Sequence, residues 1–299
     1  MKILIFGSSG QLAKEIKKAF TGYGKIKTTK KSCLNFRRPT HLVKLINDYK
    51  PNLIINCVAY TNVERSEHFP KIANDINCKA VGYIARAAKI NNSTLIHFST
   101  DFIFDGLKET SYKENDNVSP LSNYGISKYN GELEIKKSKC KSLIFRTSWV
   151  YSLNGNNFLN KVLSLASHKK NLKIINNIYG VPTSAEMIAK CTLKCFIKIK
   201  KNKYKEKDFL GTYNLVPSGS TSLYKLSIFL INEVKKNGYK NLNALSKIEP
   251  ISQKKFKSIV KRPMNSKLNN DKISRKFNIK LPHWKKDVIK FAIQKGEGL

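Results

Sequence analysis

Ser99-Thr100-Asp101, followed by Tyr124-Gly-Ile-Ser-Lys128, supplies a hydroxyl, a phenol and an ammonium suited to proton delivery onto a carbonyl oxygen. Residues four apart share one helical face, so the Lys128 ammonium can stand near the Tyr124 phenol with a cofactor between them. A free phenol is too weak an acid for this work near neutral pH. A cation at ~4 Å in an effective dielectric of ~20 is worth up to ~4 kcal/mol, or roughly 3 units off the tyrosine value of ~10, before water discounts it. The spacing therefore predicts that Lys128 acidifies Tyr124 toward neutral pH, while the Thr100 hydroxyl holds a substrate carbonyl that receives hydride. Tyr-x-x-x-Lys also arises on ordinary lysine-rich helices, so the surrounding elements decide its meaning.

Those elements begin at the first residue. Met1 to Phe6 is a short apolar run fit for a buried parallel strand, and Gly7-Ser-Ser-Gly10-Gln-Leu-Ala13 leads from it into an amphipathic helix through Phe20. Gly7 and Gly10 are expected to let the backbone turn tightly and approach a pyrophosphate at the helix N-terminus, with Ala13 where a third glycine would allow closest packing. The same two glycines also suit an ordinary strand-to-helix connection. Their place at the head of an alternating pattern favours a Rossmann fold.

Apolar strand runs alternate with helical stretches along the chain. Strands are expected at Lys25 to Lys30, Leu53 to Cys57, Thr94 to Phe98 and Ser142 to Thr147. Helices are expected at Pro39 to Tyr49, Lys71 to Ile90, Asn123 to Lys137 and Asn157 to Ser167. This βαβ order predicts an α/β fold, a doubly wound parallel sheet covered on both faces. Past Trp149 the rhythm changes, with strands expected at Leu172 to Ile175 and Thr212 to Val216, helices at Thr183 to Ile199 and Ser222 to Lys235, and an exposed loop at Lys200 to Lys207. Residues 1–150 form the expected dinucleotide-binding domain, with strand and helix returns at about 176–216. Residues 151–175 and 217–299 form a small substrate-binding cap at the sheet's C-terminal edge.

At 299 residues the chain can bury a large core. No apolar stretch approaches the ~18 residues of a membrane span, and Met1-Lys2 leads straight into a strand, so a cytoplasmic location without a signal peptide is expected. Cys33, Cys57, Cys78, Cys140, Cys191 and Cys195 are scattered without a Cys-x-x-Cys knuckle, and no metal site is expected. Cys191 and Cys195 share a helix face as buried thiols. The formal charge of +36 comes from lysines spread over nearly every helix, with Asn and Ile enriched beside them. A generally basic surface that favours anionic cofactors is expected, not a dedicated nucleic-acid site.

Several stretches together identify a resemblance. They are Gly7-Ser-Ser-Gly10-Gln11-Leu12, Pro51 through Asn56-Cys-Val-Ala59-Tyr60-Thr61, Asn74-Asp-Ile-Asn77, Ser99-Thr100-Asp101-Phe-Ile-Phe104-Asp105-Gly106 and Tyr124-Gly-Ile-Ser-Lys128-Tyr-Asn-Gly131-Glu132. Arg146-Thr-Ser-Trp149-Val-Tyr151, Asn156-Asn157-Phe158, Gly180-Val-Pro182-Thr183, Arg262-Pro263-Met-Asn265-Ser266 and Leu281-Pro282-His-Trp284 continue the match to the end. The chain resembles the dTDP-4-dehydrorhamnose reductase family of extended short-chain dehydrogenases over almost its whole length. Arg-Pro-x-Asn-Ser is the stretch that points to this family in particular.

The resemblance implies that Thr100, Tyr124 and Lys128 form the catalytic set, and that Gly7, Gly10, Gln11 and Leu12 begin the cofactor turn. Ala59 and Tyr60 would line the nicotinamide cofactor after the fourth strand, and Tyr124 and Lys128 would touch it. Thr100, Phe102, Tyr124, Trp149, Asn157, Arg262 and Asn265 would face a nucleotide-sugar. Trp149 could equally pack in the core, Arg262 could be a loop charge, and Asn77 could be structural or chemical. Phe102 stands where the family commonly has Tyr, Ile178 where Gln is usual, Glu64 for Asp and Lys267 for Arg. Thr28-Thr29-Lys30-Lys31 offers no acidic partner for the adenine ribose and suits the 2′-phosphate of NADPH, with NADH also usable. Asn35 and Phe36 would lie beside the adenine.

The implied activity is NAD(P)H-dependent reduction of the C4 ketone of a dTDP-linked 4-keto-6-deoxyhexose, by a monomer or homodimer. Related activities remain open: UDP-linked substrates, a 6-deoxytalose product, or epimerisation. A non-catalytic regulatory subunit of this fold, like that of methionine adenosyltransferase, is the alternative of another class. The intact Thr100, Tyr124 and Lys128 set argues for the enzyme.

Overall fold

The computed structural model describes residues 1–29, 35–201, 206–242, 245–256 and 258–297. Six parallel strands form the main sheet: β1 (Lys2–Phe6), β2 (Lys25–Thr28), β3 (Leu53–Asn56), β4 (Thr94–Thr100), β5 (Ser142–Thr147) and β10 (Gly211–Asn214). Their order is β2-β1-β3-β4-β5-β10. The chain steps outward from β1 to β2 and returns on the other side to β3, which makes the C-terminal end of β1 the switch point where such sheets bind ligands.

Alternation along each strand feeds two apolar layers. Ile3, Ile5, Ile55, Ile96 and Phe145 pack against Ile16 and Phe20 of α1 (Gln11–Phe20) and Ile188 and Cys195 of α8 (Ala185–Lys201). Leu4, Phe6, Ile54, Leu95 and Ile144 pack on the opposite face. There they meet α2 (Thr40–Tyr49), α5 (Ala80–Ile90) and Ile135 of α6 (Asn123–Ser138).

Between β3 and α5 the chain forms α3 (Val63–His68), α4 (Pro70–Asn74) and one π-helical segment, Asp75–Lys79. The single helix expected over Lys71 to Ile90 is therefore interrupted. The extra residue of the wide turn carries Asn77, whose amide is engaged by the chain after β3 (below).

Another apolar cluster is separate from the sheet. It joins α7 (Phe158–Ala166), β7 (Asn171–Ile175), α10 (Leu223–Lys236) and α12 (Trp284–Glu297) through Leu159, Leu163, Leu172, Leu230, Val234, Trp284 and Phe291. β12 (Lys247–Ile251) runs parallel to β7. Four two-residue pieces after β5 tie this cluster to the sheet: β6 (Val150–Tyr151) pairs with β9 (Thr183–Ser184), and β8 (Tyr179–Gly180) with β11 (Thr221–Ser222). The short helices α9 (Glu206–Phe209) and α11 (Asp271–Phe277) pack beside β10.

Further expectations are revised here. Lys200 and Lys201 continue α8, and Lys207 lies in α9, because apolar Phe196, Ile199 and Phe209 anchor both helices to the core; residues 202–205 lie outside the described set. The last strand of the sheet is Gly211–Asn214 rather than Thr212 to Val216. Cys57, Cys78, Cys140, Cys191 and Cys195 are free thiols, and Cys33 lies outside the described residues. Among the described residues no helix is long and apolar enough to cross a membrane, and no metal-holding group of His, Cys, Asp and Glu occurs.

Candidate active site

A cleft of about 600 Å³ opens at the C-terminal ends of β1 and β3. Gly7, Gly10, Asn35, Phe36, Ala59 and Tyr60 line it, as the sequence expected. Gly7 has φ +97°, which an L side chain rarely adopts, and a Cβ there would stand 3.3 Å from Val58 Cγ2. Gly10 is ordinary extended backbone at φ −66°, so the tight turn rests on Gly7 alone. The use of Gly10 is the open space above it, where a Cβ would meet nothing within 4 Å. The first amides of α1 have no side-chain cap and face this space, a donor set complementary to a pyrophosphate. Phe6 meets Phe36 edge-on at 5.7 Å, which fixes a flat apolar wall beside Asn35. The residues present fit a dinucleotide.

Two expected cofactor residues offer the cleft only their backbone amides, their side chains being used elsewhere. Gln11 donates to Val150 O at 3.2 Å and accepts from Ser152 Oγ at 3.2 Å, bridging α1 to the segment after β5. Leu12 packs partly buried against the core. Both turn away because the helix periodicity carries them off the face that Ala13 presents to the cleft. Ala59 and Tyr60 follow the third strand of the chain, not the fourth. Lys30 and Lys31 lie outside the described residues, while Thr29 accepts from Gly7 N at 3.0 Å and lines the cleft. Ser8, Ser9, Arg37, Val58, Ile72 and Ile76 also line it and were not singled out, although Ser8 and Ser9 sit inside the motif itself.

The catalytic candidates stand at the same sheet edge. Thr100 ends β4 and α6 begins at Asn123, capped by Ser122 Oγ, which accepts from Gly125 N at 3.2 Å. Gly125 is required for close approach: a Cβ there would lie 2.2 Å from Phe102 O. That contact brings Tyr124 against the end of β4, where its phenol faces the Thr100 hydroxyl. Thr100 Oγ1 also donates to Asp101 Oδ1 at 3.0 Å.

Electrostatics correct one expectation. Desolvation pushes the Tyr124 phenol up to about 12; the Thr100 hydroxyl pulls it down, and the Asp101 carboxylate raises it. Lys128 does not acidify the phenol, because its Nζ reaches to β4 and donates to Phe98 O at 2.6 Å, with His97 Nε2 at 3.3 Å. Burial raises Asp101 to about 6, against the hydroxyls of Ser266, Thr100 and Ser148. Ser99 Oγ, Asp101 Oδ2 and Thr147 Oγ1 are buried without a partner at this edge, a concentration expected of a site built for a ligand.

The substrate-side candidates are dispersed. Phe102 meets Tyr124 edge-on at 5.7 Å and so borders the phenol. Trp149 adopts φ +43°, rare for a bulky residue, and its indole lies over Gly180 beside the separate apolar cluster. Asn157 is the N-cap of α7, accepting from Asn160 N at 3.1 Å and donating to Ser152 O at 2.9 Å. Asn265 donates to Lys108 O and Thr110 O and accepts from Lys267 N at 3.0 Å. Arg262 pairs with Glu64 at 3.2 Å. Asn77 accepts from Tyr60 N at 2.8 Å and donates to Tyr60 O at 3.1 Å and Ser127 Oγ at 3.0 Å, joining the cleft wall to the catalytic helix.

A family model described as the RmlD substrate binding domain matches residues 1–295. The dTDP-4-dehydrorhamnose reductase of Escherichia coli (strain K12) is 35% identical over 288 residues, covering 95% of this chain and 94% of that protein. The chain belongs to the dTDP-4-dehydrorhamnose reductase family. Its fold agrees: a Clostridium acetobutylicum member matches with a TM-score of 0.87 at 29% identity, over 97% of this chain and 98% of that one. A Bacillus anthracis member solved in complex with NADP matches with a TM-score of 0.85 at 26% identity, over 98% and 99%.

Family membership accords with the dinucleotide that the cleft fits, NADP being bound in the Bacillus anthracis member. It also sets Asp101, Ser148 and Ser266 in context. Ser148, from the chain after β5, and Ser266, from the Arg-Pro-x-Asn-Ser stretch, converge on the Asp101 carboxyl, which in turn acts on the phenol. Each lay inside a quoted motif, yet only the packing of distant segments shows that they meet.

Proposed function

We propose that this chain reduces the C4 ketone of dTDP-4-dehydrorhamnose to the alcohol of dTDP-rhamnose, with Tyr124 as proton donor. NADPH, when bound, supplies the hydride. The α1 amides and the Gly7 turn hold the pyrophosphate, and Ala59, Tyr60 and Phe36 wall the cleft. Thr100 and Tyr124 orient the ketone oxygen through their hydroxyls.

A phenol near 12 suffices for the proton transfer. The alkoxide left by hydride addition has a basicity near that of hydroxide, whose parent acid water has a pKa of ~15.7, so the proton passes downhill to it. The reading does not need a neutral-range tyrosine. Phe102 beside Tyr124 keeps water from the reacting oxygen and offers no second hydroxyl.

The observation that carries the reading is the Thr100–Tyr124 hydroxyl pair at the sheet edge shared with the Gly7 cleft. The division of labour follows: residues 1–150 with the returns at 176–216 hold the cofactor, and the cluster around α7, α10 and α12 supports a substrate cap. The free thiols of Cys57, Cys78, Cys140, Cys191 and Cys195 support a cytoplasmic setting. Mixing the protein with NADPH and dTDP-4-dehydrorhamnose tests the assignment. Loss of reduced-nicotinamide absorbance with an NMR spectrum of dTDP-rhamnose supports it, and no oxidation with this sugar or a panel of UDP-linked and talose-forming 4-keto sugars overturns it.

A further inference from the structure

Asn56, His97 and Lys128 form a buried line beneath the active site that the reduction above does not employ. Asn56 and His97 are register partners on β3 and β4, so both side chains leave the sheet face covered by α6. They are 2% and 0% exposed, and Lys128 is 2% exposed. Bulk solvent therefore does not reach their hydrogen bonds.

The proton positions along this line follow from its fixed end. Asn56 Oδ1 accepts from Val58 N at 3.1 Å, which sets the amide orientation and turns Nδ2 to His97 Nδ1 at 3.2 Å. Nδ2 can only donate, so Nδ1 must accept. A neutral imidazole then carries its single proton on Nε2, and that nitrogen lies 3.3 Å from Lys128 Nζ. An ammonium has no lone pair to receive it. An imidazolium would set a second donor against the Asn56 amide, and an imidazole accepting at both nitrogens would be an anion.

We propose that His97 is a positioning residue that donates its Nε2 proton to Lys128 and holds that side chain as a neutral amine while the cleft is empty. The proposal rests on Lys128 belonging to the Tyr124 site. The amine keeps a proton for Phe98 O, to which it donates at 2.6 Å. Desolvation already brings Lys128 to about 8, opposed by the Glu132 carboxylate. Glu132 lies one turn along α6 and is held in a two-pronged pair by Arg146 of β5, at 3.0 and 2.7 Å. His97 is lowered well below its usual range by burial and by Lys128. From β3 the facing group is the neutral Asn56 amide. Entry of an anionic dinucleotide favours the ammonium, so binding takes up a fraction of a proton near pH 8, rising toward one above it.

Nitrogen-detected NMR of the cofactor-free protein reads the tautomer directly, without substrate. The expected His97 signature is a neutral ring protonated at Nε2 above pH 8, where Lys128 is the amine, and an Nδ1-protonated or doubly protonated ring there overturns the proposal. Lysine Nζ titration, with Lys128 identified by its loss in Lys128→Met, should show one lysine turning over near pH 8. His97→Leu removes the donor and should move that midpoint toward the ordinary lysine range of ~10.4. His97→Gln, which keeps an N–H at the same reach, should restore it. An unmoved midpoint in a folded His97→Leu protein overturns the proposal, and if that variant does not fold, the wild-type tautomer and the Gln variant still decide it. Calorimetry of NADPH binding in buffers of different ionisation enthalpy should show proton uptake near pH 8 in the wild type and none in His97→Leu. The NMR results stand whether or not the chain turns over dTDP-4-dehydrorhamnose, so failure of that activity is distinguishable from failure of the relay.

Discussion

The cofactor and proton-donor edge differs from the substrate-side loops in what its polar side chains are bonded to. At the edge, Ser99, Asp101 and Thr147 keep buried polar atoms without partners, and the Thr100 hydroxyl that faces the Tyr124 phenol is bonded to Asp101. In the loops, Asn157 and Asn265 are saturated by backbone groups of their own fold. Unsatisfied buried polarity costs stability and is retained where a ligand completes it, whereas a saturated amide holds a loop. The contrast predicts that substitutions at the edge cost rate, and that substitutions in the loops cost stability first.

The largest effect is expected at the edge. Tyr124→Phe should lower single-turnover reduction by ~10²–10⁴-fold while leaving NADPH affinity unchanged, read by nicotinamide fluorescence. A wild-type rate would remove the phenol from the chemistry and dissolve the contrast. In the loops, Asn265→Ala strands the carbonyls of Lys108 and Thr110 and the amide of Lys267, and should cost ~2–4 kcal/mol in urea unfolding. A stable Asn265→Ala protein with a raised substrate KM would instead make Asn265 a ligand.

Asn77→Ala removes the clamp on Tyr60 and should cost ~1–3 kcal/mol, with weakened NADPH binding because the cleft wall loosens. Asn157→Ala loses the cap of α7 and should cost ~1 kcal/mol in thermal unfolding, with kcat nearly unchanged. Arg262→Gln gives the smallest change in stability, within ~1 kcal/mol, because its partner Glu64 is exposed. Its buried Nε has no partner, so a raised KM for the nucleotide-sugar is expected there. A stability loss well above that bound would move Arg262 to the saturated side.

Much of the sheet was legible because its signals are local. Runs such as Ile3 to Phe6 and Leu53 to Asn56 are buried on both faces, and their apolar continuity needs no distant partner to be recognised. The Lys200 to Lys207 segment misled because its charges suggest solvent, while Phe196, Ile199 and Phe209 on either side are anchored by residues far away in the chain. The π-turn at Asp75–Lys79 was equally hidden, since its wide turn is held by Asn77 reaching the chain after β3.

The sequence by itself determined the strand, turn and helix at Gly7, the cap and face of the Tyr124 helix, and the family to which these belong. Each depends on residues within one or two turns of each other, whose backbone preferences are fixed by covalent neighbours. Only the tertiary structure decided that Lys128 reaches to Phe98 and His97 instead of acidifying Tyr124, and that Asn265 holds a loop more than 150 residues before it. A long side chain takes the bond that burial leaves open, and which bond that is depends on strands and loops brought together from across the chain.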